Sequence, residues 1–207
     1  MPQEPARTTY EKILDAAEDL FAAKGYSATS LGDVADVVGI RSPSLYNHFK
    51  NKEALYTAVL DRLIENFAMP LQELNQRQVT YDEVIQWLEV VVRQHHANPN
   101  LARLLQHAAL SGGPHTDELV DRLFRPMFNS PSRISGSEFP LLGDAGLQPW
   151  AVMAFNNLVM SYVTMAPMYR DMLGQDPLGE AALENQLKMI KALLRAVFEY
   201  TGDRGER

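Results

Sequence analysis

The chain has 207 residues, no cysteine and a formal net charge of -7. That length suits one large domain or a small one joined to a larger, and the lack of cysteine excludes disulfides, thiolate catalysis, iron-sulfur clusters and cysteine-containing zinc sites. The negative charge excludes a protein that coats nucleic acid through many Lys and Arg contacts, yet permits a specific reader with one local basic face.

The chain reads as helices throughout, in the following order. Tyr10, Ile13, Leu14, Ala17 and Phe21 recur at spacings of three and four, one apolar stripe of a first helix that Lys24 and Gly25 close. Ser30 with Asp33 resembles a capping box, and Leu31, Val34, Ala35 and Val38 form a short second helix ended by Gly39. Ser42 is the expected cap of a two-turn third helix, Ser44 to Phe49, with Pro43 in its first turn. Tyr56, Val59, Leu60, Leu63 and Phe67 mark a fourth helix, which Pro70 ends or kinks. Thr80 and Glu83 cap a fifth, with Val84, Leu88, Val91 and His95 on one side. Leu101, Leu104, Leu105 and Ala108 mark a sixth that stops at Gly112, and Leu119, Leu123, Phe124 and Met127 a seventh. Residues 129–147 are one long loop rich in Ser, Pro and Gly, a candidate mobile segment. Two long apolar helices follow, 149–173 with a kink at Pro167 and 178–200. The fold class is therefore all-α, about nine helices, with no strand pattern.

Two short helices split by a tight turn and braced by a preceding helix make a helix-turn-helix over residues 31–49, whose second helix enters the major groove. Residues 41–52 carry Arg41, Lys50 and Lys52 and no acid, so an acidic chain leaves this segment positive. Residues 1–52 hold six basic and seven acidic groups, so the basic face is local. Base reading falls to Arg41, Ser42 and Ser44 at the exposed start of the third helix, with Arg best equipped to grip guanine. Leu31, Val34, Ala35, Val38, Leu45 and Phe49 would equally form the core of a three-helix unit with any task.

Thr29, Ser30, Leu31, Val34, Ala35, Val38, Gly39, Ile40, Ser44, Leu45, Tyr46, His48, Phe49, Lys52, Glu53 and Leu55 together resemble the signature of the TetR (tetracycline-repressor) family, most strongly over residues 10–60. The resemblance implies a three-helix DNA-binding domain, 1–52, and a larger helical domain, 53–207, that dimerises and binds a small-molecule effector. It implies phosphate contacts from Tyr46, His48 and Lys52, with Thr29 and Ser30 offering hydroxyls near a helix N-terminus. Many relatives carry Ser or Thr where this chain has Arg41, which moves the expected cap to Ser42.

The larger part carries thirteen basic and nineteen acidic groups, so it should not lie along DNA. Leu183, Leu187, Ile190, Leu194 and Val197 repeat like a coiled-coil seam, and are the expected dimer interface. Two recognition helices about 34 Å apart would then read the half-sites of a palindromic operator in double-stranded DNA. Met153, Met160, Met165, Met168 and Met172 suit either core or pocket. By the resemblance, Phe67, Trp87, Val91, Leu104, His107, Phe124, Phe128 and Phe155 line the effector site, and Gln106 or His107 supplies a hydrogen bond. Such a lining fits a hydrophobic or aromatic molecule.

His95 and His96 are adjacent and point apart on a helix, so they make no metal site. No Glu-x-x-His pair, phosphate-binding glycine loop or nucleophile elbow is present, which argues against an enzyme, and no cofactor is implied. A polar start and no run of eighteen apolar residues lead to the expectation of a cytoplasmic protein without membrane contact. The resulting reading is a ligand-responsive homodimeric regulator, a repressor by family default. Its alternatives are a partner-controlled or architectural DNA-binding protein without an effector, or an activator of the same fold.

Overall fold

The computed structural model describes residues 7–74, 80–111, 116–125 and 148–199, with the side chains of 66–74, 124, 148 and 197–199 left out of that description. Among the described residues there are ten helices and no strand. They are α1 (Thr9–Ala28), α2 (Leu31–Val38), α3 (Ser42–Tyr46), α4 (Lys52–Leu74), α5 (Tyr81–Ala97), α6 (Asn100–Ser111), α7 (Thr116–Leu119), α8 (Gln148–Thr164), α9 (Ala166–Leu173) and α10 (Glu180–Glu199). A π-helical turn, Val120–Phe124, continues α7. The chain divides into two compact units, residues up to 66 with 103–116, and 67–102 with 117 onward. The long loop read at 129–147 lies outside the described residues.

In the first unit the local signals of the sequence set the helix ends. Ser30 Oγ accepts from the Asp33 amide at 3.1 Å while Asp33 accepts from the Ser30 amide at 2.9 Å, the reciprocal box that starts α2. Gly39 ends α2 in the left-handed conformation, φ 75° and ψ 31°. Gly25 bends α1 rather than ending it: with φ 77° and ψ 169° it occupies a region open only to glycine, and helix resumes to Ala28.

Two expectations for the third helix are corrected. It spans Ser42–Tyr46, not 44–49, and its cap residue is Arg41, with no side-chain cap bond. The reason is local: Pro43 lacks one of the amides a cap would serve, and the Arg41 carbonyl accepts directly from Ser44 at 2.9 Å and Leu45 at 3.4 Å. Nor does Pro70 end α4, which continues to Leu74. Asn51 starts that helix by accepting from the Ala54 amide at 2.8 Å.

Ile13, Ala17 and Phe21 of α1, Val34 and Ala35 of α2, Leu45 of α3, and Leu55, Val59 and Leu63 of α4 form the buried interior of this unit. Each large side chain so buried contributes about 1.5–3 kcal/mol. Phe21 and Tyr26 both meet Tyr56, at ring distances of 5.0 and 4.9 Å, which seats α4 on α1.

In the second unit Thr80 and Glu83 make the expected capping box of α5. Val92 joins Leu88 and His95 on the buried side of α5, whereas Val84 and Val91 are only partly covered. Val92, Val159, Leu183, Leu187 and Ile190 form one cluster, with Val91, Phe155 and Leu194 at its margin. This corrects the coiled-coil reading of α10: Leu183, Leu187 and Ile190 are buried inside the protomer against α5 and α8, because a spacing of three and four marks a covered face without saying which chain covers it. The side chain of Val197 lies outside the described residues. Glu89 accepts from Lys191 at 2.7 Å and pairs with Arg93 at 2.9 Å, fixing the register of α5 on α10.

Pro167 divides the expected penultimate helix. Met165, at φ -91° and ψ 0°, separates α8 from α9, and Pro167 sits in the first turn of α9, where a missing amide costs nothing. Among the described residues no helix is long and apolar enough to cross a membrane.

Candidate functional site

The exposed face of α3 and the turn after it carries Arg41, Ser42, Ser44, Tyr46 and His48 together. Leu45 and Phe49 hold that face in place from below, both buried, with Phe49 stacked on Tyr10 at 5.2 Å. Ser42 and Ser44 are exposed, and Tyr46 stands 56% exposed. The His48 ring lies 6.3 Å from Tyr10, which orients it without burying it. A short helix with solvent-facing hydroxyls, a guanidinium and no carboxylate can meet both base edges and phosphates.

Two residues expected at phosphates are engaged elsewhere. Thr29 is 1% exposed, and its hydroxyl donates to the Gly25 carbonyl at 2.9 Å and to that of Leu20 at 3.3 Å. It closes the end of α1 instead of facing solvent. Lys52 Nζ donates to the Tyr26 carbonyl at 2.9 Å and lies 4.4 Å from the centre of the Tyr26 ring, so it ties α4 to α1 and supplies charge from a half-buried position. Ser30 is exposed, but its oxygen already caps α2.

The residues expected around an effector fall into separate groups. Trp87, Val91 and Phe155 come together in the second unit, with Trp87 and Phe155 rings 6.0 Å apart. Leu104 and His107 belong to the first unit. There Leu104 is buried, and His107 lies over the bend of α1: a Cβ on Gly25 would come within 3.1 Å of its Nδ1. His107 is thus a packing partner of α1. The side chains of Phe67 and Phe124, and all of Phe128, lie outside the described residues. Among the described residues no group of three metal-ligating side chains is present.

Sequence reasoning missed a polar relay in the second unit. Gln186, buried on α10, donates its amide to the Leu158 carbonyl at 3.4 Å and presents its oxygen to His96 Nε2 at 2.5 Å. A carbonyl can only accept, so the amide orientation is fixed and His96 must carry its proton on Nε2. His96 Nδ1 and Trp87 Nε1 are then buried polar atoms without a hydrogen-bond partner. Only the unusual polar residue on an apolar face, Gln186, could have hinted at this. Sequence reasoning also missed that Leu158 on α8 and Met189 and Leu193 on α10 are 44%, 62% and 42% exposed.

Residues 13–59 match the family described as bacterial regulatory proteins, tetR family. Over 58 residues the chain is 53% identical to the HTH-type transcriptional repressor ComR of Escherichia coli (strain K12), a match covering 28% of each chain. The chain thus spans less than a third of that relative's length. Among solved structures, the fatty acid degradation regulator FadR from Bacillus halodurans superposes with a TM-score of 0.62 at 17% identity, covering 100% of both chains. A complex of SmeT with triclosan gives 0.57 at 21% identity, covering 88% of this chain and 91% of that one. At such identities these two likenesses establish the fold.

Proposed function

We propose that this chain, a member of the tetR family of bacterial regulatory proteins, is a cytoplasmic repressor that binds a palindromic operator as a homodimer and is released by a small apolar or aromatic effector. The observation that carries the reading is the acid-free exposed face of Arg41, Ser42, Ser44, Tyr46 and His48 on a chain whose net charge is -7. Residues 1–52 serve DNA binding, and 53–207 serve effector binding and dimerisation. The face of α10 that carries Met189 and Leu193, four residues apart, is the surface for a second copy, and Leu158 on α8 is exposed as well. The triclosan complex of a protein with the same fold supports an apolar effector.

Effector and DNA would favour different arrangements of the dimer, so each weakens the other's binding. The test is selection of bound sequences from random duplex DNA by the full chain, followed by retardation assays on the enriched sequence. An enriched inverted repeat bound by two copies is expected. Recovery of no preferred sequence would overturn the reading.

A further inference from the structure

We infer that the indole N–H of Trp87 is the polar anchor of an effector site on α5, and that the molecule it takes is a neutral apolar compound with a hydrogen-bond acceptor, such as an aryl ketone. The inference rests on the effector reading above and adds its chemistry.

Trp87 Nε1 is buried and has no hydrogen-bond partner. Indole can donate and cannot accept, so only an acceptor can satisfy it, and a buried donor left unpaired carries its whole desolvation penalty. Two neighbouring buried groups of the same unit are served, His95 Nδ1 by the Val91 carbonyl at 2.9 Å and the Gln186 amide by Leu158. His96 Nδ1, also unserved, is an acceptor, which leaves Trp87 Nε1 as the unserved donor among the described residues. The surroundings of Trp87 are apolar. Val91 lies one helical turn on and shares its face, and the Phe155 ring stands 6.0 Å away, tilted by 41°. Val91 and Phe155 are only partly buried at the margin of the cluster around Val92, Val159 and Leu187. One donor set among incompletely covered aromatic and aliphatic walls is the composition of a small-molecule site.

The charge pattern selects a neutral acceptor over a carboxylate. The cation on the same helix, Arg93, is already paired with Glu89 and Glu184 at 2.9 Å each, and Lys191 with Glu89 at 2.7 Å. An anion beside Trp87 would lack a counter-charge from either.

The test compares benzophenone with diphenylmethane, two probes of one shape that differ in the carbonyl. The chain has two tryptophans, and Trp150 is 66% exposed. Trp150→Phe therefore assigns the remaining indole N–H resonance to Trp87. In that full-length variant benzophenone should move the Trp87 N–H resonance downfield and diphenylmethane should not. By calorimetry benzophenone should bind about tenfold tighter, as one buried hydrogen bond allows. Trp87→Phe should abolish that preference while keeping diphenylmethane affinity within about twofold. Equal binding of the two probes, binding of neither, or a preference that survives in Trp87→Phe would each overturn the site. A resident water on Trp87 gives the first of these results. DNA retardation run in parallel separates the two readings: probe binding that leaves DNA affinity unchanged removes the regulatory reading and keeps the site, whereas DNA binding without probe binding does the reverse.

Discussion

The guanidinium of Arg62 on α4 donates to the carboxylate of Glu18 on α1 at 2.5 Å, and Glu18 is 6% exposed. The other arm of the same fork reaches Asp15 at 2.7 Å. Burial works against the charge on Arg62, but the hydrogen bonds to Glu18 and Asp15 outweigh it and hold the guanidinium pKa above its ordinary value. Removing one member of a buried pair costs about 3–5 kcal/mol, and the partial exposure of Arg62 reduces this. Arg62→Met should lower stability by about 2 kcal/mol in urea unfolding, and Arg62→Lys should recover less than half, because an ammonium cannot serve two carboxylates in fork geometry. An Arg62→Met midpoint equal to that of the parent would refute the clamp.

Gly25 and Gly39 both have positive φ, yet their tolerance should differ. Gly39 (φ 75°, ψ 31°) is in the left-handed helical region that Asn also visits, with nothing within 4 Å of an added Cβ. Gly25 (φ 77°, ψ 169°) is in the glycine-only region and faces His107. Gly39→Asn should cost under about 1 kcal/mol and Gly25→Asn about 2–3 kcal/mol. His107→Ala in the Gly25→Asn background should relieve only the steric share. Thermal midpoints that rank the two single variants in the opposite order would contradict this.

Helix ends in the first unit were legible because they depend on neighbours in sequence: Ser30 with Asp33, and Gly39. The cap of α3 was not, since Pro43 changed which amides needed serving. The hydroxyl of Thr29 was misread because it bonds back to the carbonyl four residues earlier, Gly25, a local competitor for any external acceptor, and also reaches Leu20. Of the residues expected around an effector, Trp87 and Phe155 come together with rings 6.0 Å apart, whereas His107 belongs with α1. Apolar periodicity in α10 identified a buried stripe and could not tell the protomer's own α5 and α8 from a second copy.

That last distinction can be measured. Leu187 is 3% exposed and Met189, two residues on, is 62% exposed. Leu187→Ala should destabilise the protomer by about 2–5 kcal/mol through lost contact and a residual cavity. Met189→Glu with Leu193→Glu should leave the helical content intact and turn a dimer into a monomer in sedimentation. A dimer that persists in the double glutamate variant would place the partner on another face.

Arg41 and Tyr46 should divide the work on DNA. Arg41→Ala should cost about 1–3 kcal/mol on the preferred sequence and relax discrimination at one base pair in each half-site. Tyr46→Ala should weaken all sequences by similar factors, since a contact to phosphate carries no base information. Binding measured over single-base variants of the selected site decides it, and equal losses everywhere for both substitutions would refute the division.

His95 gives the second unit an acid sensitivity whose sign follows from its surroundings. The ring is buried and its Nδ1–H donates to the Val91 carbonyl at 2.9 Å. Burial pushes its pKa below the ordinary histidine value; the Val91 hydrogen bond opposes that shift and the neighbouring His96 adds to it. Well above about pH 6.5 both folded and unfolded chains hold the ring neutral, and no pH dependence arises. As pH falls through that value the unfolded chain takes a proton that the folded chain refuses, so stability declines by at most about 1.4 kcal/mol per pH unit until the folded pKa is reached. Glu89 acts in a lower window: hydrogen bonds from Lys191 and then Arg93 hold its carboxyl below the usual range, so its contribution persists until pH falls below ordinary carboxylate values. Urea unfolding between about pH 7.5 and about pH 5.5 should therefore show a slope in the parent that is reduced in His95→Leu. Identical slopes in the two proteins would assign the acid sensitivity to other groups.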